Sequence, residues 1–272
     1  MATSLEVLNK QIYWAAESYS KYNNFQLQQG KKFAAKVGVK QDDKILDMGC
    51  GTGELTLCIG EIVGEKGRVV GVDPDIERIH YAIQHNYKVH KNISFQNGDS
   101  SSEFVQRNKS FYDIHFSNFS FQWLTLDEKK MFLQTAFECL KPNGTIALQS
   151  HEAYPEIALY VESLISKRQN ALKNINDKKP IQFFMSKAET TSLIEEMGFE
   201  IISSDYDIAK QRYETLDDFL NFFSASDYHD TNMISSSERK ELMARFGNED
   251  CSVDLVDDTI YHIIARKKYR RG

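Results

Sequence analysis

Three glycines preceded by an acidic residue form the segment of this sequence that is best suited to hold a ligand. Asp47 ends a short apolar run, and Gly49, Gly51 and Gly53 follow it before a pattern typical of a helix. Glycines let the backbone turn sharply and approach a ligand closely, and a helix start offers unpaired N–H groups. The sequence therefore predicts a binding loop at the first strand-to-helix turn.

Two further acids follow at the ends of the next two predicted strands. Asp73 lies 20 residues after Gly53, and Asp99 follows the third strand. Such acids can bind sugar hydroxyls, although an acid at the position of Asp73 could also be a helix N-cap. A dinucleotide site shares these features but expects the spacing G-x-G-x-x-G, whereas this loop has G-x-G-x-G. Because Asp47 would repel a pyrophosphate and attract an ammonium group, we favour an amino-acid-containing nucleoside as the ligand.

Strand and helix patterns alternate on both sides of this loop. Strands are expected over residues 44–47, 67–72, 93–97, 112–117 and 145–150. Helices are expected over residues 52–62, 74–89 and 126–140, with a turn at 142–144. This alternation predicts an α/β fold with a doubly wound, mostly parallel sheet, whose ligand lies at the carboxyl ends of the strands.

The two ends of the chain break this rhythm. Helical spacing over residues 5–36, interrupted by polar residues 18–24, predicts an N-terminal helical lid over residues 1–36. After a cofactor-binding core of residues 37–150, helical patterns run to about residue 174 and over 186–197, followed by strands at 199–206 and 259–266. We therefore expect one domain, residues 1–272, with a seven-stranded sheet and with cap insertions at 151–190 and 207–256, the second mainly helical.

The glycine loop, the two acids and the alternation together resemble the class I S-adenosylmethionine-dependent methyltransferases, over roughly residues 30–150 and the last two strands. The resemblance implies a Rossmann-like methyltransferase fold with S-adenosyl-L-methionine as the cofactor. It also implies that the glycines line the methionine portion, that Asp73 bonds the ribose hydroxyls and that Asp99 bonds the adenine amine. The expected cofactor contacts are Asp47, Gly49, Gly51, Gly53, Asp73, Pro74, Asp99, Ser100 and Asn118.

Two segments, residues 19–26 and 117–123, resemble a narrower group that methylates carboxylates. This group includes the juvenile hormone acid, trans-aconitate and malonyl-carrier-protein methyltransferases. By position, the resemblance implies that Gln26 and Trp123 contact the acceptor carboxylate; the alternatives are a surface glutamine and a core tryptophan. A carboxylate is ionised at pH 7 and can take a methyl group without a general base, so the N–H donors of these side chains would suffice.

Aromatic residues are concentrated between residues 206 and 228, where an insertion between the last two strands would cover the crevice. Helically spaced aromatics are often core residues, but here they could form a lid that selects an apolar acceptor such as an isoprenoid or fatty acid. Methylation of nitrogen, phenolic oxygen or carbon is an alternative that would need an acid or base near Trp123. His151 lies near the crevice but could be a solvated loop residue. Another alternative is a protein that binds the cofactor without catalysis.

Composition narrows the choice of partners. The formal net charge of −6 gives no general attraction to nucleic acid or anionic lipid, and the basic run at 266–271 is expected to be a solvated chain end. No stretch approaches the roughly 18 apolar residues of a membrane span, and residues 1–10 lack an apolar signal core. The histidines and cysteines lack metal-ligand spacing. We expect a cytoplasmic monomer or homodimer that binds a small carboxylic acid, with no metal, nucleic acid or membrane partner.

Overall fold

The computed structural model describes residues 16–17, 19–86, 91–98, 102–172, 182–227 and 229–268. Its strands are β1 (Lys44–Met48), β2 (Arg68–Asp73), β3 (Ile93–Asn97), β4 (Tyr112–Asn118), β5 (Leu140–His151), β6 (Phe199–Tyr213) and β7 (Val253–Lys267). They form one seven-stranded sheet in the order β3-β2-β1-β4-β5-β7-β6. Neighbouring strands from β3 to β5 are parallel, whereas β7 is antiparallel to β5 and β6. The predicted doubly wound, mostly parallel sheet is therefore confirmed.

Helices cover both faces of this sheet. They are α1 (Asn24–Val37), α2 (Glu54–Val63), α3 (Ile76–Asn86), α4 (Ser102–Asn108), α5 (Leu126–Cys139), α6 (Glu156–Leu172), α7 (Lys187–Glu196), α8 (Leu216–Asp227) and α9 (Ser236–Phe246). Single turns of 3-10 helix lie at Phe121–Trp123 and Thr231–Met233. Phe33 and Ile59 belong to the core on the face covered by α1, α2 and α3. Phe132 and Ile194 belong to the core on the opposite face, covered by α5 and α7.

Strands in the middle of the sheet are buried on both faces and therefore read as continuous apolar runs. In β1, Ile45 and Leu46 point to opposite faces and enter different cores, as the alternation of a strand requires. Asp47 and Asp73 interrupt this apolar pattern at the carboxyl ends of β1 and β2, although they are only 1 % and 6 % exposed. Because a buried carboxyl group needs polar partners and adds little to apolar packing, these two positions are candidates for ligand binding.

The starts of two helices were predictable because each has a complete capping box. Thr125 and Glu128 exchange hydrogen bonds at the start of α5. Ser186 and Glu189 do the same at the start of α7. These caps satisfy N–H groups that a helix start would otherwise leave without partners. The predicted helices over 126–140 and 186–197 are therefore confirmed to within a residue or two.

A third apolar core lies between the cap helices and the ends of β6 and β7. Phe219 and Phe223 of α8, Ile165 of α6 and Leu242 of α9 pack together with Val253 of β7, and each is at most 1 % exposed. Full burial of one such side chain contributes about 1.5–3 kcal/mol. The cap therefore has its own stabilising core and is more than a loop laid over the sheet.

The predicted extent of the second cap insertion, residues 207–256, is wrong at both ends. Strand β6 continues to Tyr213 and β7 already begins at Val253, and these two residues pair across the ladder. The helical insertion is therefore confined to residues 214–252. The physical reason is the pairing of β6 with β7. The polar residues at each strand end are typical of a loop, but here the partner strand supplies backbone hydrogen bonds.

Two smaller predictions also need correction. The polar loop expected at residues 18–24 is largely helical over 19–22, with a break at Asn23. The turn expected at 142–144 lies within β5, where Asn143 has a φ of 63° and the register with β4 shifts. In the part of the chain that the structure describes, no helix is both long and apolar enough to cross a membrane.

Candidate active site

A cavity of about 530 Å³ lies where β1, β2, β4 and β5 end. We call its two parts the polar side and the aromatic side. The polar side is lined by Tyr19, Gly49, Asp73, Pro74, Asp75, Arg78 and Gly98. The aromatic side is lined by Phe25, Gln26, Phe119, Trp123, His151, Tyr154, Phe219, Phe222, Phe223, Ser226, Leu255 and Asp257. Residues that the sequence suggested for cofactor and acceptor therefore share one cavity.

The glycine loop has a backbone that other residues adopt only with strain. Gly49, Gly51 and Gly53 have φ angles of 83°, 58° and 90°. A Cβ atom on Gly49 would lie 2.3 Å from the Cβ of Ser120, and one on Gly53 would lie 2.6 Å from the ring of Phe95. Gly49 and Gly53 are therefore required both by conformation and by close packing, against Ser120 and Phe95 respectively.

Asp73 joins the glycine loop to the start of α3. Its Oδ2 accepts a hydrogen bond from the Gly51 N–H at 2.9 Å, and its Oδ1 accepts one from the Asp75 N–H at 2.9 Å. Asp75 accepts from the N–H groups of Glu77 and Arg78, so Asp75 rather than Asp73 caps α3. Burial raises the pKa of Asp73, while Arg78 and the two N–H groups oppose this rise. Each carboxylate oxygen has a further lone pair with which to accept a ligand hydroxyl.

Asp47 borders a second, smaller cavity of about 30 Å³, whose walls also include Gln26, Gly49 and Asn118. The Thr56 hydroxyl donates to Asp47 Oδ2 at 2.6 Å. Burial raises the pKa of Asp47 from 3.8 to about 7; the hydrogen bond from Thr56 opposes this rise and the nearby charge of Asp73 adds to it. An ammonium group in the smaller cavity would supply the opposite charge that stabilises the carboxylate.

Residues 19–23 lie over the glycine loop and the start of α2. The Arg78 guanidinium stacks 4.2 Å from the centroid of the Tyr19 ring. The amide of Asn23 donates to Glu54 Oε2 at 2.9 Å, and the Ser20 hydroxyl donates to the other oxygen of Glu54. Through these contacts, residues 19–23 cover the polar side of the cavity, as expected of the N-terminal lid. Residues 1–15 and 18 of that lid lie outside the described residues.

Gln26 and Asn118 meet where the two sides of the cavity join. Asn118 Nδ2 donates to the backbone carbonyl of Gln26 at 3.0 Å, and Asn118 Oδ1 accepts from Gln149 Nε2 at 2.6 Å. Burial lowers the pKa of His262 to about 4, and this neutral ring donates from Nε2 to Gln149 Oε1. The Gln26 amide donates to the Ser226 hydroxyl at 2.9 Å, whereas its Oε1 is buried without a hydrogen-bond partner. Asn118 thus fixes α1, and Gln26 keeps one polar atom unsatisfied.

Trp123 ends the 3-10 turn that follows β4, and its half-buried side chain lines the aromatic side. Phe119, which directly follows β4 and precedes this turn, has a φ of 54°, which is strained for a bulky residue. Its N–H donates to the Gln149 carbonyl at 2.9 Å. Its ring stacks on Phe25 at 6.1 Å and on His151 at 4.5 Å between centroids. Backbone strain at Phe119 therefore accompanies an aromatic wall beside Trp123.

His151, the last residue of β5, faces Asp257 of β7. The His151 Nδ1 lies 3.2 Å from Asp257 Oδ2, and the two side chains are 16 % and 2 % exposed. The backbone N–H and the hydroxyl of Thr259 donate to Asp257 Oδ1 at 3.0 and 2.8 Å. Burial raises the pKa of Asp257, but His151 and Thr259 together hold it below its ordinary value. Such a pair can take a proton from a ligand or donate a hydrogen bond to it.

The sequence matches the methyltransferase-domain family over residues 39–215, which include the glycine loop, Asp73 and Trp123. This chain belongs to that family of methyltransferases. It is 26% identical over 220 residues to an uncharacterized methyltransferase of Schizosaccharomyces pombe, with 78% of this chain and 82% of that protein covered. It is 29% identical over 182 residues to a demethylmenaquinone methyltransferase of Lactobacillus johnsonii, with 62% of this chain and 73% of that protein covered.

A solved structure supports the fold of the methyltransferase. A SAM-dependent methyltransferase from Aquifex aeolicus aligns with a TM-score of 0.53 at 17% identity, and the alignment covers 91% of this chain and 97% of that one. The methyltransferase therefore has the Rossmann-like fold. Membership of the methyltransferase family implies S-adenosyl-L-methionine as the methyl donor. These similarities do not show the narrower carboxylate-methylating group, which stays a prediction.

Residues on the polar side and beside the smaller cavity fit this methyl donor chemically. The buried acids Asp47 and Asp73 offer acceptors for an ammonium group and for a pair of hydroxyls. The backbone at Gly49 forms part of the cavity wall in a place where a Cβ would collide with Ser120. Asp99 and Ser100, the expected adenine contacts, lie outside the described residues. Among the residues that the structure describes, no group of three or more His, Cys, Asp or Glu side chains could hold a metal ion.

The sequence analysis missed Asp257 and left His151 between two interpretations. Residue types alone gave no signal for Asp257: Val253, Leu255 and Asp257 are buried while Asp254 and Val256 are exposed, but Val256 is apolar and Asp257 polar, so the alternation appears only in the structure. That alternation is the mark of a strand with one face toward the interior. An acid on the inward face of such a strand is a candidate partner for a histidine in the cavity.

Proposed function

We propose that this methyltransferase methylates the carboxylate of a small apolar acid, such as an isoprenoid or fatty acid, to give a methyl ester. The observation that carries the proposal is that Gln26 and Trp123 line the same aromatic cavity as Phe222 and Phe223 of α8. Polar donors for a carboxylate and an apolar wall for its hydrocarbon part are thereby available together.

The amide of Gln26 supports this proposal through its unsatisfied atom. Its Oε1 is buried without a hydrogen-bond partner, and its Nε2 donates to Ser226. If the amide turns over, Oε1 accepts from the Ser226 hydroxyl and the NH₂ group becomes a donor for the acceptor. The indole of Trp123 carries a second N–H donor. Neutral donors hold a carboxylate without removing its nucleophilic electron pair by protonation.

The aromatic side supports an apolar acceptor. Phe25 contacts both Phe119 and Phe222, with centroid distances of 6.1 and 5.9 Å, and Tyr213 stands behind Phe222 at 5.4 Å. These rings form a continuous wall from α1 to α8. At roughly 25 cal/mol per Å² of apolar area buried, each methylene of an acceptor gains about 0.8 kcal/mol on this wall. Longer acids should therefore bind more tightly than short ones.

Carboxylate methylation requires no proton transfer from the protein. When bound, S-adenosyl-L-methionine supplies a methyl group on a positively charged sulfur; a carboxylate oxygen forms the new C–O bond while sulfur keeps the electrons of the broken bond. The protein's own task is to hold the acid in line at about 3–3.5 Å and to exclude water. The lid residues 19–23 over one side and α8 over the other are suited to that exclusion.

The test is methyl transfer from labelled S-adenosyl-L-methionine to a series of straight-chain and isoprenoid acids of increasing length. We expect base-labile methyl products and a kcat/KM that rises with apolar length. Amides and alcohols of the same carbon skeletons are matched controls. The proposal is wrong if short polar diacids react faster than long apolar acids, or if the products resist base.

A second candidate function is methylation of an acceptor with a dissociable proton, such as a phenol or an amine. The observation that favours it is the His151–Asp257 pair, which could act as a general base. We further propose that the protein works in the cytoplasm as a monomer or homodimer on a small molecule rather than on nucleic acid. The net charge of −6 supports the last of these statements.

A further inference from the structure

Three contacts fix the His151 ring on the aromatic side of the cavity. One face of the ring stacks on Phe119 with centroids 4.5 Å apart and planes inclined by 20°. The Nδ1 edge lies 3.2 Å from Asp257 Oδ2 and 3.3 Å from the Thr259 hydroxyl. An imidazole has two nitrogens, so Nε2 is the atom through which this ring can bind a ligand.

Asp257 places a buried carboxyl group beside this ring. Its carboxyl group is 2 % exposed, and a carboxylate at that depth needs an opposite charge close by. The titratable group facing it from β5 is His151, whereas β6 places Ala209 opposite it in the ladder. Tyr154 lines the same side, and the residues contributed there by α1 and α8 are aromatic or neutral. His151 is therefore the side chain placed to balance the charge of Asp257.

We propose that His151, oriented by Asp257, in its protonated form donates a hydrogen bond from Nε2 to the acceptor carboxylate and so selects acids over uncharged molecules of the same shape. This inference rests on the proposed carboxylate methylation. A carboxylate that enters an aromatic wall loses its hydration, and a charge-assisted hydrogen bond replaces part of it. The cation of the polar side, Arg78, is held by Asp75 and Tyr19 and serves the other end of the cavity.

The response to pH separates this role from that of a general base. A charged ring that donates a hydrogen bond loses this ability as pH rises, so acid binding weakens with rising pH. A general base must instead be neutral, so turnover would increase as pH rises. Histidine side chains in proteins exchange their proton in the range of about pH 5–8, which is accessible to measurement.

The experiment measures binding of decanoate by calorimetry at pH 6 and pH 8.5, in the presence of saturating S-adenosylhomocysteine. The proteins are the wild type, His151→Asn, Asp257→Asn and the control His80→Asn, whose side chain is half-exposed on α3. We expect decanoate to bind wild type and the control at least tenfold more tightly at pH 6 than at pH 8.5. His151→Asn should lose this difference, and Asp257→Asn should need a lower pH to bind equally well. Decanamide should bind all four proteins without dependence on pH.

Equal binding of decanoate at pH 6 by wild type and His151→Asn would overturn the inference, as would tighter binding of decanoate at pH 8.5. If a variant does not fold, shown by lost cofactor binding and a lower Tm, the pH dependence of wild type decides between the two roles. Failure of the proposed function is recognised separately, because it appears as the absence of a base-labile methyl product even when decanoate binds in a pH-dependent way.

Discussion

The buried Lys129 donates from Nζ to the backbone carbonyl of Phe183 at 2.8 Å. Lys129 also donates to the Leu124 carbonyl, and the Phe183 N–H donates to the Gln122 carbonyl at 2.6 Å. One lysine on α5 thus ties the chain before α7 to the turn that carries Trp123. An ammonium group that is 1 % exposed is retained at this place because backbone carbonyls satisfy it.

Replacing Lys129 by methionine should loosen this connection. We expect Lys129→Met to lower the free energy of unfolding by about 2 kcal/mol and to raise KM for the acceptor, because two carbonyls lose a charged donor. Lys130→Met is the matched control, since Lys130 is the neighbouring lysine and is exposed. Denaturant unfolding and acceptor kinetics measure both effects. Similar losses of unfolding free energy in the two variants would argue against a role for the hydrogen bonds of Lys129.

Substitution at Gly49 tests the close packing of the loop. Gly49→Ala should lower the free energy of unfolding by about 1–3 kcal/mol more than Gly38→Ala and should abolish tight cofactor binding. Gly38 has a similar φ of 80° but no atom within 4 Å of an added Cβ, so it isolates the backbone effect. Thermal unfolding and calorimetry with S-adenosylhomocysteine give the comparison. Equal effects at both positions would show that conformation alone matters.

Protonation of Asp47 should make the stability of the cofactor-free protein depend on pH. The pKa is raised from 3.8 to about 7 on folding. Between these pH values the folded state binds a proton that the unfolded state has lost, so this contribution is complete below pH 4 and is lost as pH rises through 7. The slope is at most about 1.4 kcal/mol per pH unit. We expect Asp47→Asn to gain stability relative to wild type between pH 5 and pH 8 in denaturant unfolding; parallel curves would contradict this.

Removal of the Asp73 carboxyl group should weaken cofactor binding. Asp73→Ala is expected to lower the binding free energy by about 1–3 kcal/mol through lost hydrogen bonds, a change of roughly 5- to 150-fold in Kd. Asp75→Ala is the useful comparison. Asp75 lies on the same cavity wall, but its carboxyl group caps α3. Calorimetry with S-adenosyl-L-methionine measures both. A larger loss of affinity for Asp75→Ala would show that Asp75, and not Asp73, makes the main contact with the cofactor.

Trp123 should affect the acceptor and not the cofactor. We expect Trp123→Phe to keep the aromatic wall but to lower kcat/KM for the acid about tenfold, because a single hydrogen-bond donor is lost. Trp123→Ala should be worse, since it also removes apolar surface. The Kd for S-adenosyl-L-methionine should stay within twofold of wild type. Full activity of Trp123→Phe would show that the indole N–H does not hold the acceptor.

The features that could be predicted are those that depend on residues close together in the sequence. The loop around Gly51 could be found because its glycines, the preceding strand and the following helix lie within a few residues of each other. The capping box at Ser186 is equally local. These features need no knowledge of which distant segment packs against them.

The missed part depends on pairing between distant segments. Tyr213 and Val253 are strand residues because they pair with each other in the β6–β7 ladder, although an insertion separates them in sequence. The partnership of His151 with Asp257 likewise requires β5 and β7 to lie side by side. Local periodicity carries little information about such contacts, so both the strand ends and the pair were beyond the sequence analysis.

The last pair between β5 and β7 joins His151 to Ile260, and the paired strands β6 and β7 extend beyond it. Beyond that point the two strands pair with each other and carry α8 and α9 on their ends. Because β1 to β4 take no part in this support, helices of other length or sequence could be grafted between residues 214 and 252 without disturbing the glycine loop. Exchange of this insertion should therefore change which hydrocarbon skeletons fit, while Gln26, Trp123 and His151, which lie outside it, keep their places in the cavity.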